Sequence, residues 1–361
     1  MSRAEDGPAD MPRTMRAAVY RGRDDIRVEE LPVPCIGRGE VLVRIRVCGV
    51  CHTDLKKIHH ALQKPPRVYG HEMAGTIAAL GPGVKGWRLG DRVAVFHHIP
   101  CGACYYCERR EYAQCLGYKR TGTTAGFEPS GGGFAQFIRV MPWIVQGGMV
   151  RVPRGITLEE ASFLEPVNTC LKGVYRLGLR RGDSVLVFGQ GPIGLLITQL
   201  VKARGGRVLA LDLLPERLRM ARKLGAAAAF DPCGQAWKKA VLKLTASRGA
   251  DAAILAVPSD VAFAQALTAV RPGGRVLLFA HTQRGDALAL DAAAVCVDEK
   301  TVLGSYSASL DLNPETARLV FSRRVKVAPL ITHRFGLDDI AAAFTLAAQP
   351  TKDSLKVLVQ P

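Results

Sequence analysis

Residues 185–201 read VLVFGQGPIGLLITQLV. The run is apolar enough to suggest a membrane span, but the turn chemistry GQGP interrupts its middle. A strand, a tight turn and a helix account for it better. VLVF is the strand, and Gly189-Gln190-Gly191-Pro192-Ile193-Gly194 makes the turn and opens the helix GLLITQLV. Alone, G-x-G-x-x-G is a weak signal. After a strand and opening a helix, it has the context in which glycine backbones admit a pyrophosphate.

The neighbourhood strengthens that reading. Asp212 ends the next strand, eighteen residues after Gly194. An acidic side chain there accepts the ribose hydroxyls of an adenosine and repels a 2′-phosphate, which favours NAD over NADP. Arg217, just beyond, is placed to lie over the adenine or near a phosphate. The competing reading is a dinucleotide-type fold that holds no ligand.

Outward from this stretch, strands and helices alternate: SVLVFG, RVLALD, AAAAFD, DAAILAV and RVLLFA are separated by amphipathic helices. Continuous apolar strands between helices imply a parallel sheet covered on both faces, a doubly wound α/β Rossmann unit assigned to 166–300. Upstream, Thr157 with Glu160 three residues later fits a capping box. Residues 15–50 and 71–100 instead alternate apolar and polar side chains between Pro/Gly turns, as antiparallel β does. The segment after 300 is too short for a unit of its own. The expected division is therefore a β-rich unit of 15–165 plus 301–361, the Rossmann unit of 166–300, and a disordered polar tail of 1–14.

Composition narrows the function. With 361 residues and 48% hydrophobic content, the chain builds a sizeable core and is not a disordered or low-complexity protein. Its net charge is +17, and residues 201–250 contribute eleven Lys/Arg against three Asp/Glu. Such a segment suggests either nucleic-acid binding or solvated helix faces with some attraction for a phosphate-bearing ligand. No Lys/Arg run exceeds two residues, which favours the second. The N-terminus resembles no targeting signal, so a cytoplasmic protein without a membrane segment is expected.

Four of the ten cysteines, Cys101, Cys104, Cys107 and Cys115, lie within fifteen residues. Four thiolates so spaced can wrap one tetrahedral Zn²⁺ with no open position, giving a structural site within a lobe of 98–118. An iron–sulfur cluster and uncoordinated thiols are the alternatives. A second, diffuse signal joins Cys51-His52-Thr53-Asp54, Gly70-His71-Glu72 and Glu165. Cys, His and Glu are ligand types for a catalytic zinc. Taken singly, each of these residues has an ordinary packing or surface role.

The order GVCHTD, GHE, GPGV…GDRV, the four-cysteine lobe, Glu165-Pro166, GQGPIG and Asp212 resembles the zinc-dependent medium-chain dehydrogenases of the alcohol dehydrogenase superfamily. The resemblance runs from about residue 15 to the last residue. DLKKI (54–58), GSYSAS (304–309) and ITHRF (331–335) are similar to the sorbitol, or L-iditol 2-dehydrogenase, branch. It implies a GroES-like β-rich catalytic domain beside the Rossmann domain. It also implies NAD as cofactor, one catalytic and one structural zinc, a small-molecule alcohol substrate, and association into homodimers or homotetramers.

The resemblance further implies roles. Cys51 and His71 would bind the catalytic zinc, with Glu72 or Glu165 as a further ligand. Thr53 would start a proton relay from the substrate alcohol, and His52 would touch the cofactor pyrophosphate. Residues 279–281 and 305–306 would lie near the nicotinamide. The reaction implied is hydride transfer from a secondary alcohol, a polyol first; L-threonine, butanediol and simple alcohols are the alternatives. A zinc-stabilised nucleic-acid-binding protein is the remote one. FEPSGGG (127–133) departs from the expected pattern, and His97-His98 and Trp143 could line the pocket or pack on the lobe.

Overall fold

The computed structural model describes residues 11–128, 131–281, 285 and 287–361. Residues 1–10 of the expected tail lie outside the described residues, as do two positions of the 127–133 stretch. The remainder of that tail is ordered. Val33 donates to the carbonyl of Arg13 at 3.0 Å, and the first strand begins at Thr14.

Among the described residues, three sheets organise the chain. The apolar strands identified above form one parallel sheet. Its order is Ala228–Phe230, Arg207–Leu211, Ser184–Phe188, Ala250–Leu255, Val270–Leu278 and Thr301–Gly304. The chain leaves Ser184–Phe188 in one direction and later fills the other side. The crevice where the order reverses lies between Ser184–Phe188 and Ala250–Leu255, the usual position for a ligand in open α/β sheets. Thr301–Gly304 corrects the expected boundary at 300. It pairs in parallel with Arg275–Leu278 as the half-exposed edge of that sheet.

The second sheet has eight strands. At its centre, Val41–Gly49 pairs antiparallel with Glu72–Leu80 and with Lys356–Gln360. The last of these strands thus returns to the β-rich half, more than three hundred residues after Val41. A three-stranded sheet of Asp25–Pro32, Thr14–Gly22 and Arg67–Val68 completes it.

Helices fix the two halves together. Thr157 Oγ1 accepts from the backbone N–H of Glu160 at 3.0 Å, and the Glu160 carboxylate accepts from Thr157 N at 2.9 Å. That capping box opens Leu158–Ala161, and Leu164–Leu177 follows. Arg323 Nε donates to the same Glu160 carboxylate at 2.8 Å. The Arg323 guanidinium, helped by the Thr157 N–H and opposed by burial, holds the Glu160 pKa below the usual carboxylate range. Glu160→Ala is expected to lower the unfolding free energy by about 1–3 kcal/mol near neutral pH. A depressed carboxylate pKa stabilises above its unfolded value, and the contribution fades as pH falls through the folded value. Denaturant titration of both proteins should therefore show the gap closing in acid.

Candidate active site

Three neighbouring strands and one helix start build the first cluster. Cys51 caps the helix His52–His59 immediately after the strand Val41–Gly49. His71 precedes the strand Glu72–Leu80, and Gly49 is the register partner of Glu72. The ligand atoms of Cys51, His71 and Glu72 all lie within 4.8 Å of one another. A Cβ on Gly49 would overlap the Glu72 carboxylate and the Lys356 side chain, so only glycine leaves room for that pair. His71 and Glu72 are buried, and Cys51 is half-buried.

The surroundings orient these groups. His71 Nδ1 is 3.1 Å from Asp54 Oδ1, which leaves Nε2 to face the cluster. A carboxylate behind a histidine in this way fixes a metal-binding tautomer. Burial opposes a charged His71, but Asp54 and Cys51 outweigh it and raise its pKa well above the ordinary value. Lys356, also buried, pairs with Glu72 and donates to the Val50 carbonyl at 2.9 Å. Burial works against its ammonium as well, and Glu72 and Cys51 raise its pKa overall. A half-buried thiol beside a buried imidazole and carboxylate, with the histidine oriented from behind, suits a zinc ion. Glu165 is not within that 4.8 Å group, although the charges of His71 and Glu72 reach it. It accepts from the Thr169 hydroxyl at 3.2 Å, and burial raises its pKa. Thr53 and His52 are exposed on the first helical turn beside Cys51.

A chain of rings runs from this cluster to the cysteine lobe. His71 lies 5.0 Å from His97, His97 3.9 Å from His98, and His98 5.0 Å from Tyr118, measured between ring centroids. Burial pushes the His98 pKa down to about 3, so this ring is neutral. Tyr118 Oη meets Ser307 Oγ at 2.7 Å. His97 and His98 therefore bridge the cluster and the lobe, while Trp143 stacks under Arg120, whose guanidinium lies 4.1 Å from the ring.

The four lobe cysteines form a second cluster within the same 4.8 Å limit. Sulfur separations of 3.6 Å (Cys104–Cys107) and 3.9 Å (Cys101–Cys107) bracket the edge of a tetrahedron of zinc thiolates, about 3.8 Å. Backbone N–H groups of Leu116 and Cys107 draw the Cys104 pKa down to about 6, whereas burial pushes Cys107 up to about 12. A cation is the natural partner for such a set. A cation held by all four sulfurs would have no open position and would serve to hold the lobe.

The glycine turn occupies the carboxyl end of Ser184–Phe188. Gly189 has φ +86°, and a Cβ on Gly194 would collide with the Gly189 carbonyl. A Cβ on Gly191 would meet only Arg217 Nη1, at 4.0 Å, so the turn is open on that side for a ligand. Pro192 is the first helical residue, and the Ile193 carbonyl accepts from the Cys170 thiol at 3.9 Å. Asp212 accepts from Gln190 N at 2.6 Å and from Leu214 N at 2.9 Å, and its carboxylate lies 3.9 Å from Arg217. Positioned this way, it faces the turn from the neighbouring strand.

Asp54 and Lys356 were not singled out as site residues by the sequence. Asp54 sits inside the CHTD motif, and a lysine at a buried strand position was the available signal for Lys356. His59 and His60 are exposed, with His59 3.1 Å from Asp24.

An oriented metal-ligand cluster, a closed cysteine cluster and a glycine turn on a doubly wound sheet define a zinc-binding oxidoreductase. Comparison with known proteins agrees. The family model "Alcohol dehydrogenase GroES-like domain" matches residues 37–152, and "Zinc-binding dehydrogenase" matches 192–322. The chain is 30% identical to the sorbitol dehydrogenase of Bacillus subtilis, over 97% of this chain and 98% of that protein. It is 33% identical to an L-threonine 3-dehydrogenase of Pyrococcus furiosus, over 88% and 90%. An Escherichia coli CFT073 alcohol dehydrogenase solved with NADH superposes with a TM-score of 0.85 at 26% identity, covering 97% of this chain and 100% of that one. The chain belongs to the zinc-binding alcohol dehydrogenase family and is an enzyme of the oxidoreductase class.

Proposed function

We propose that the enzyme oxidises a secondary alcohol of the polyol class with NAD⁺. The observation that carries this reading is the Cys51–His71–Glu72 cluster in a chain whose glycine turn is faced by Asp212. When bound, zinc supplies Lewis acidity toward the substrate oxygen and the nicotinamide accepts hydride. The chain supplies the rest. Cys51, His71 and Glu72 hold the metal, Asp54 fixes His71, and Lys356 restrains Glu72. Thr53 takes the alcohol proton outward, His52 and Arg217 contact the cofactor, and Cys101, Cys104, Cys107 and Cys115 hold the second zinc.

Buried polar atoms support the polyol class. His98 Nδ1, Ser305 Oγ and both ring nitrogens of His281 are shielded from water with no protein partner among the described residues. Unpaired buried donors and acceptors are costly, and a hydroxyl-rich substrate would satisfy them. Initial rates of NAD⁺ reduction over sorbitol, xylitol, L-threonine, 2,3-butanediol, 2-propanol and ethanol, with and without a zinc chelator, test this. Chelator-sensitive turnover of the polyols is expected. Preference for threonine or a simple alcohol would replace the substrate class, and a chelator-resistant rate would remove the zinc role.

Asp212 sets cofactor choice in this reading. Asp212→Ala is expected to lower kcat/KM for NAD⁺ by about 10–100-fold, the worth of a charge-assisted hydrogen bond. The NAD⁺/NADP⁺ ratio of kcat/KM should fall with it. An unchanged ratio would show that the carboxylate only braces the turn.

The chain in this reading self-associates through the Thr301–Gly304 edge. Among the described residues that strand has one neighbour, and Leu290, Val295 and Val297, shortly before it in the chain, are exposed. Sedimentation of the purified protein should give a dimer or tetramer; a monomer would refute the assignment.

A further inference from the structure

Helix Pro192–Ala203 carries the glycine turn at its start, and a separate cavity of about 530 Å³ opens at its other end. Twelve residues of helix place the two about 18 Å apart. The cavity is lined by Arg181, Lys202, Arg204, Arg318, Arg324 and one carboxylate, Glu315. These cations arrive from four segments: the turn before Ser184, the end of the helix, the helix Asn313–Phe321 and the turn after it. A second cavity of about 300 Å³ shares Lys202 and Arg324 and adds Lys223 and Lys326.

One lysine in a last helical turn is explained by the helix dipole. Arg204 caps the same helix, but three arginines gathered from other segments, Arg181, Arg318 and Arg324, are not explained so. Among the described residues, Arg181, Lys202 and Arg324 form no ion pair, and Arg204 lies over the Tyr175 ring at 4.1 Å. The single carboxylate is already engaged. Glu315 accepts from Tyr175 Oη at 2.6 Å and lies 3.8 Å from Arg318. The adjacent Arg323 turns away to Glu160, whereas Arg324 lines the cavity. Like charges converging on a concave surface raise its potential and concentrate anions there. Guanidinium forks match phosphate oxygens in pairs. Orthophosphate would neutralise fewer than half of these cations, and a chain of phosphates suits their number and spread.

We propose that this cavity binds an oligophosphate anion, either a free inorganic chain or the phosphate tail of a nucleotide, at a site distinct from the dinucleotide turn. The test uses the zinc-loaded full chain with its dinucleotide site saturated by NADH. Binding of inorganic triphosphate, ATP, orthophosphate and a short DNA duplex is followed by titration calorimetry at low salt. Triphosphate is expected to saturate at one per chain and to bind at least tenfold more tightly than orthophosphate. The double variant Arg181→Gln/Arg324→Gln should weaken it tenfold or more while leaving the KM for NAD⁺ and kcat unchanged. Equal affinity for ATP would assign the free chain as the source, and tighter ATP binding the nucleotide; either supports the site. Absence of saturable triphosphate binding, or equal affinity in the double variant, would overturn it. So would variant-sensitive capture of the duplex without triphosphate binding.

Discussion

Cys51→Ser is expected to reduce kcat/KM for alcohol oxidation at least about 10³-fold, since the loss of a Lewis acid removes several kcal/mol of barrier lowering. The thiolate is the soft, charged member of the Cys51–His71–Glu72 trio, and a serine hydroxyl stays protonated. Without Cys51, Glu72 keeps its Lys356 partner and His71 keeps Asp54, so the site remains folded but holds its metal weakly. Elemental analysis should show loss of one zinc while the cysteine lobe retains the other. The unfolding midpoint should change little, because Cys51 is half-buried at a helix start. Activity within tenfold of the parent, with full metal content, would remove Cys51 from the site.

Cys107→Ser should act on structure rather than chemistry. The lobe's own buried core amounts to Cys107, Cys115 and Tyr118, with Cys104 and Tyr112 packed beside them. So small a cluster is a weak hold for a loop of this length, and a bound metal would supply the difference. Structural zinc in isolated fingers is worth about 10–16 kcal/mol of folding free energy, which sets the upper scale here. The variant should lose the second zinc, become open to protease within the lobe, and unfold at a lower temperature. Activity should fall as well, because the lobe's Tyr118 packs on His98 and bonds Ser307. A variant that retains two zincs per chain and resists protease would show that the four thiols are not a metal site.

What could be read in the sequence follows from the range of the interactions involved. The glycine turn, Asp212 and the capping box are local, so the residues that make them stand close together or one strand apart. The four cysteines are likewise confined to one short loop. The trio around His71 is different. Cys51 and His71-Glu72 are brought together by the pairing of Val41–Gly49 with Glu72–Leu80, and spacing alone does not give that register. Glu165 and Glu72 were indistinguishable as ligands in the sequence, and the fold groups only Glu72 with Cys51 and His71. Lys356 reads as a charged residue in an apolar strand until Gly49 is seen between it and Glu72. The strand Thr301–Gly304 joins the parallel sheet rather than the β-rich half expected for it, because a single short apolar run carries no mark of the sheet it joins.

Lys356 reaches the Val50 carbonyl across 306 residues of chain. Everything needed for the parallel sheet is therefore translated before Glu72 meets its counter-ion. Until then the Glu72 carboxylate lacks the ammonium that pairs with it in the folded protein. Closing so long a loop is slow relative to local pairing. The residues of the parallel sheet and of the cysteine lobe all precede Lys356 in the chain, whereas the Cys51–His71–Glu72 cluster is complete only with a strand that lies between Ile331–Gly336 and Val41–Gly49.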